Sequence, residues 1–359
     1  MRSIFKFLPL LALVVDARKC GNEQVPASVK AAARYFAKMD KTADARTIQS
    51  IAERTLSIDT YFHIISTDST EAGGNISDDK VSAQLDALNR DYKQTGISFV
   101  LKGTTRTVNQ EWATFSVDDD SNDTEYTMKK ALRKGSYAAL NVYYRPLGDG
   151  LLGICVFPDH VTAGDRTFYL DGCQVLYSSV PDGGAENYEQ GKTATHEIGH
   201  WLGLFHTFQD GCVADTAGGD GVADTPAESG PTSGCPTTNP DTCTGTQFPG
   251  VDPIHNFMDY SYDVCMDEFT PGQTKRIFDF WDQYRAAYAG EPGPDPPVST
   301  TTKVTTTKTT TKATTTKTTT KFTTTPKPTT TKTTTTRTRT TTTKAAPTDW
   351  WCDYFPDLC

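Results

Sequence analysis

The sequence predicts an α/β (α+β) fold, and three features carry that prediction. Segments patterned like strands and segments patterned like helices intermix between residues 56 and 201. A stretch rich in Gly, Asp, Pro and Cys then runs to about residue 253, too irregular for either pattern. One more helical segment follows. An α/β layer is therefore expected to end in an irregular lobe.

The elements follow in order. Residues 56–66 (LSIDTYFHIIS) alternate and are β-branched, as a strand with one buried face requires. Ser77 is placed to cap a helix reaching about Thr95, because Val81, Leu85, Leu88 and Tyr92 recur at helical spacing. Residues 97–102 form a second strand, and 138–144, 151–157 and 174–178 form three more. A long helix begins near Gly191, and the last runs from about Gly272 to Tyr288, behind Pro271. Between Arg18 and about Arg54 the chain is polar, charged and Ala-rich, with no strand-like run; it reads as a pro-segment outside the core.

At 359 residues the chain has room for one domain of ordinary size plus accessory segments. Residues 1–17 read as a signal peptide: Arg2 and Lys6, a short apolar run from Phe7 to Val15, then small residues before a cut. That run is too short to span a bilayer, and no other stretch is apolar enough to do so. The segment from Glu291 to Pro347 carries ten Lys/Arg and two acidic residues, so of the net charge of −9 the body holds about −17. A body that acidic excludes nucleic acid as its partner. The expected layout is therefore signal peptide 1–17, pro-segment 18–54, folded domain 55–290, a Thr/Lys/Pro-rich stalk 291–348 and an aromatic tail 349–359. The stalk cannot bury apolar area and suits O-glycosylation. The tail, DWWCDYFPDLC, reads equally as a cell-wall or surface contact and as an unstructured remnant. Asn75 and Asn122 head N-glycosylation sequons.

Residues 196–206, HEIGHWLGLFH, carry the chemistry. Residues four apart share a helix face, so His196 and His200 can aim both rings at one ion. Gly203 can take positive φ, turning the chain so that His206 closes on the same ion. Three neutral imidazoles with one open position make a catalytic zinc site. Glu197 stands beside it, placed to take a proton from an attacking water. A bare H-E-x-x-H occurs by chance on ordinary helices; the eleven-residue form is much rarer. Downstream, Asn256–Tyr260 (NFMDY) supplies a Met that could floor the metal site, although a Met after an aromatic is by itself usually core.

The long zinc motif followed by NFMDY resembles the metzincin clan, with Met258 as the Met-turn residue. The HTF ending, GDGVADTPAE, the cysteine spacing and NFMDYSYDVCMDEFTPGQ together resemble the pappalysin-type peptidase family M43, and within it the secreted fungal extracellular metalloproteases. The resemblance covers roughly residues 56–289. It implies a two-lobed catalytic domain: a mixed twisted sheet with a backing helix and the active-site helix above, and a disulfide-held irregular lobe below. It also implies that the hydroxyl of Tyr260 stabilises an oxyanion, that Cys212 pairs with Cys243, and that Cys235 pairs with Cys265.

Cys155 with Cys173 would tie neighbouring strands, and Cys352 with Cys359 would close a loop in the tail, which leaves Cys20. Its thiolate could fill the open zinc position, resembling the cysteine switch of zymogens; the alternatives are a simple unpaired Cys, an intermolecular bond or a different pairing. Arg46 and Arg54 are expected maturation sites. The loop 215–228 suits calcium, with Asp215, Asp220, Asp224 and Thr225 as ligands, or is simply an acidic solvated turn. Residues 151–157 are the expected edge strand for an extended substrate, with Val264, Asp263 and Asp267 near a pocket wall. The expected function is a secreted zinc endopeptidase acting on proteins or peptides. Its rival is a non-enzymatic surface- or carbohydrate-binding protein that works through stalk and tail.

Overall fold

The computed structural model describes residues 19–41, 53–117, 123–213 and 219–293. The chain divides into two units, 1–297 and 298–359, and the second lies wholly outside the described residues. So do the expected signal peptide, the stalk from residue 294 on and the tail, with Arg46, Asn122, Asp215, Cys352 and Cys359.

Among the described residues the strands are β1 (Lys19–Cys20), β2 (Leu56–Ser66), β3 (Ile97–Val108), β4 (Leu140–Arg145), β5 (Leu151–Cys155) and β6 (Cys173–Leu176). They form one mixed sheet in the order β1-β5-β6-β4-β2-β3. Strands β3, β2, β4 and β6 run parallel; β5 runs antiparallel to β6, and β1 lies parallel to β5. The helices are α1 (Ala27–Asp40), α2 (Asp78–Asp91), α3 (Gln110–Thr114), α4 (Thr124–Leu132), α5 (Arg166–Leu170), α6 (Lys192–Trp201) and α7 (Pro271–Phe280).

The sheet sets the position of α6. Val81, Leu88 and Tyr92 from α2 and Ala194, Ile198 and Trp201 from α6 pack with Phe62, Val142, Tyr144 and Val175 of the sheet in one buried cluster. Polar bonds pin the two helices together: the Tyr92 hydroxyl donates to the Thr195 carbonyl at 2.9 Å, and the Thr195 hydroxyl to Asp91 at 2.8 Å. A second, smaller cluster, with Ile65, Ala113, Met128 and Tyr143, includes α3 and α4.

The expectation that 18–54 holds no strand and stays outside the core needs correction. Lys19–Cys20 does form a strand, and α1 packs Val29, Ala32, Ala33 and Phe36 inward, with Phe36 edge-on to Phe280 at 5.2 Å. Salt bridges support this docking: Lys30 to Asp210 at 2.8 Å and Asp40 to Lys275 at 2.6 Å. Two further elements differ in extent. Strand β3 continues six residues beyond Lys102, and the last helix is α-helical only to Phe280, then widens to a π turn (Trp281–Arg285) before a closing 3₁₀ turn (Ala286–Tyr288). Helices α3, α4 and α5 were not expected; Asn109 and Asp165 cap α3 and α5 through their side chains.

Candidate metal centre

Helix α6 brings the motif together. His196, Glu197 and His200 are all at most 1% exposed. Gly203 turns the chain with φ +95°, and a Cβ there would meet Phe280 Cγ at 2.3 Å, so both backbone and space call for glycine. His206 then closes on the helix. The His200 Nε2 lies 3.2 Å from His196 Nε2 and 3.1 Å from His206 Nε2. The Nδ1–H of His196 donates to the Phe257 carbonyl at 2.7 Å, and that of His200 to the Leu204 carbonyl at 2.8 Å. These bonds place the proton on Nδ1 and leave Nε2 as a lone pair. Lone pairs facing each other at about 3 Å repel unless a cation sits among them, so the donor set fits zinc.

The segment 256–260 holds the floor. Phe257 accepts from His196, and the Met258 carbonyl accepts from Thr207 N at 3.2 Å, so one turn clamps ligands from both ends of the motif. Met258 is fully buried, and a Cβ at Gly199 would approach its sulfur to 2.4 Å. The first glycine of HEIGHWLG, Gly199, is thus Gly203's counterpart: Gly203 serves the turn, and Gly199 admits Met258. Tyr260 packs its ring 5.0 Å from that of His206.

Cys20 joins the three histidines: their four ligand atoms lie within 4.8 Å of one another, the single such group among the described residues. The Cys20 sulfur is 3.5 Å from Glu197 Oε2, and Cys20 N donates to the Tyr260 hydroxyl at 3.3 Å. Glu197 itself lies over Gly153 of β5, where an added Cβ would stand 2.4 Å from its Cγ. Gly153 escaped the sequence reading, although a glycine inside a strand is the usual sign of close approach.

Other residues singled out in the sequence fall as follows. Disulfides join Cys155 to Cys173, linking β5 to β6, Cys212 to Cys243 and Cys235 to Cys265. Asp224 is engaged at the start of α7, accepting from the Thr270 hydroxyl and from Gly272 N, both at 2.8 Å. Asp220 is buried, accepts from Val222 N at 2.9 Å, and is pushed up to about 7 by burial. The Thr225 and Thr270 hydroxyls are 3.4 Å apart. Asp263 is buried rather than lining a pocket: it accepts from Gln190 N at 2.9 Å and Lys192 N at 3.4 Å, holding the start of α6. Val264 is 70% exposed. Asn75 is half-buried, its amide donating to the Ser69 carbonyl at 3.0 Å. Arg54 chelates Asp282 and stacks on Phe278.

A buried charge cluster lies behind α6, and no local pattern announces it. Asp171 bonds the Trp201 indole at 3.0 Å, Arg285 at 2.9 Å and Arg133 at 3.1 Å. Arg285 also donates to the Trp201 carbonyl at 3.2 Å, the last residue of α6.

Comparison with known proteins agrees with this geometry. Residues 125–282 match the peptidase M43 family, described as pregnancy-associated plasma protein-A. The chain is 46% identical over 271 residues to extracellular metalloprotease 1 of Coccidioides posadasii, covering 75% of this chain and 91% of that one. It is 48% identical over 248 residues to an extracellular metalloprotease of Colletotrichum graminicola, covering 69% and 84%. Among solved structures, mature mirolysin of Tannerella forsythia with a cleaved peptide superposes with TM-score 0.51 at 30% identity, covering 62% of this chain and 90% of that one. A promirolysin mutant from the same organism gives 0.54 at 27% identity, covering 74% and 94%.

Proposed function

Because the chain belongs to peptidase family M43 and is a metalloendopeptidase, we propose that it is a secreted zinc enzyme made as a latent precursor. His196, His200 and His206 would hold the metal. The observation that carries this is the convergence of their three Nε2 atoms, with the Nδ1–H of His196 and of His200 committed to carbonyls. Bound there, zinc supplies Lewis-acid activation of a water and of the scissile carbonyl.

The chain's own residues do the rest. Glu197 takes the proton of the attacking water and returns it to the leaving amine. Tyr260 donates its hydroxyl hydrogen to the developing oxyanion. Without β1, strand β5 is an edge whose Gly153 and Cys155 main-chain groups are available to pair with an extended peptide. Latency would come from Cys20: its sulfur lies within 4.8 Å of the three histidine ligand atoms and would take the open position on the metal, its amide donates to the Tyr260 hydroxyl oxygen, and β1 covers the edge.

Two measurements test this. Peptide cleavage by the matured protein is expected to stop when zinc is chelated and to return with added zinc. The Cys20→Ala precursor is expected to cleave without processing, whereas the intact parent does not. A folded, processed, zinc-loaded protein that cleaves nothing across a diverse peptide library would end the peptidase reading and move function to residues 291–359. A silent Cys20→Ala precursor would end the latency reading alone.

The proposal includes a structural calcium at the loop 215–225. Asp220 is the candidate ligand buried in the structure; it accepts from Val222 N at 2.9 Å and from Gln273 at 3.2 Å, and a divalent cation beside it would offset the cost of burying its charge. Added calcium is expected to raise the Tm of the metal-stripped, zinc-restored protein. An unchanged Tm over millimolar calcium would remove the ion from the account.

A further inference from the structure

Latency requires the thiol of Cys20 to stay at the metal centre, and the geometry points to Asn22 as the positioning residue that keeps it there. This inference rests on Cys20 being the latency residue. Strand β1 bonds to β5 through main-chain groups only briefly: Gly21 N donates to the Gly153 carbonyl at 2.9 Å. The next two bonds to β5 come from the Asn22 side chain. Its Nδ2 donates to the Cys155 carbonyl at 2.5 Å, and its Oδ1 accepts from Cys155 N at 2.8 Å.

A carboxamide carries the donor and acceptor of a peptide unit. One side chain therefore makes both bonds that a residue in a ladder exchanges with its opposite number. The target is firm, because Cys155 is disulfide-linked to Cys173 of β6. The approach is close: a Cβ at Gly21 would stand 2.6 Å from Ile154 Cδ1.

The clamp is also joined to the thiol. The main-chain N–H of Asn22 donates to Cys20 Sγ at 3.3 Å, so the bonded carboxamide and the sulfur move as a unit. Asn22 is 6% exposed, and losing the carboxamide would leave both Cys155 groups without it. The rest of the pro-segment is held separately, by the apolar face of α1 and the Lys30 and Asp40 salt bridges. Asn22 thus sets the register of the thiol, whereas α1 sets the attachment of the segment.

The separation makes the role testable apart from folding. The experiment uses the zinc-loaded full-length precursor carrying Glu197→Gln, which by the proposed mechanism cannot process itself. Alkylation of Cys20 by iodoacetamide is followed by mass, beside hydrogen exchange of residues 27–40. In the parent, Cys20 is expected to react slowly. With Asn22→Ala it should react about tenfold faster or more, as expected for loss of a buried pair of bonds. Asn22→Asp should behave likewise, because a carboxylate accepts from Cys155 N but opposes the Cys155 carbonyl. Exchange in α1 should not change.

Fast alkylation in the parent would overturn the latency reading itself. Slow alkylation in the parent and in both variants would leave that reading standing and overturn the role of Asn22. Faster alkylation accompanied by equally faster exchange throughout α1 would also overturn it, because Asn22 would then only help to dock the segment.

Discussion

Replacing Glu197 with alanine in the matured protein is expected to lower kcat/KM by about 100- to 10,000-fold while zinc stays bound. Among the described residues the converging group holds three imidazoles and one thiol and no second carboxylate to take over the proton. The imidazoles are also spoken for, since a ligating nitrogen has no lone pair left for a proton. Gly153→Ala is expected to act in the same direction. Its new methyl would need the space now filled by Glu197 Cγ and Cδ, at 2.4 and 2.7 Å. The base would be displaced, and kcat would fall with the zinc content retained. Steady-state kinetics with metal analysis on both variants checks this. Glu197→Ala enzyme that stays zinc-loaded and keeps parental kcat/KM would remove Glu197 from the mechanism.

The second large effect concerns stability. Asp171→Asn is expected to cost about 3–5 kcal/mol, because it leaves Arg133 and Arg285 buried without their counter-ion. In a domain of this size that corresponds to a drop in Tm on the order of 10 °C. Burial pushes the Asp171 carboxyl up, but Arg285 and Arg133 outweigh it and hold it below its ordinary value of 3.8. A depressed carboxyl contributes stability that is present above its unfolded pKa and is lost as pH falls through the folded one. The parent should therefore keep this contribution at neutral pH and lose it below about pH 4, where the two proteins should converge. The variant should also bind zinc more weakly, since Arg285 and Trp201 anchor the end of α6 just before the turn to His206. Thermal melts across pH that coincide for parent and variant at pH 7 would show that the cluster contributes nothing.

The grouping of the candidate metal ligands could be read from the sequence because it is local. His196, Glu197 and His200 fall within five positions of one helix, and Gly203 and His206 complete the set within the next six. The turn at 256–260 announced itself by its composition. The disulfide of Cys155 with Cys173 followed from two strand-like runs. Other parts were hidden for identifiable reasons. Strand β1 is two residues long and exists only because β5 offers it an edge, so it has no period to detect. Helix α1 did carry a signal, with Val29, Ala32, Ala33 and Phe36 at helical spacing, but alanines at two of those positions made its apolar face look polar. Arg133, Asp171 and Arg285 come together from positions 38 and 114 residues apart, which no local pattern reveals. Asp263 looked like a pocket residue by its distance from Met258, yet it turns inward to the start of α6.

The parallel pairing of β1 with β5 has one more consequence, for handling and self-association. Losing residues 19–41 removes an outer strand and bares hydrogen-bonding groups on β5 that any other extended chain can take up. A bared strand of five residues is short, and Gly153 in its middle gives it little apolar surface to offer. The protein without residues 19–41 should nonetheless be stickier along this one border than the intact chain. Production without residues 19–41 should yield more aggregate at equal concentration, and an extended peptide laid along the border should keep it in solution.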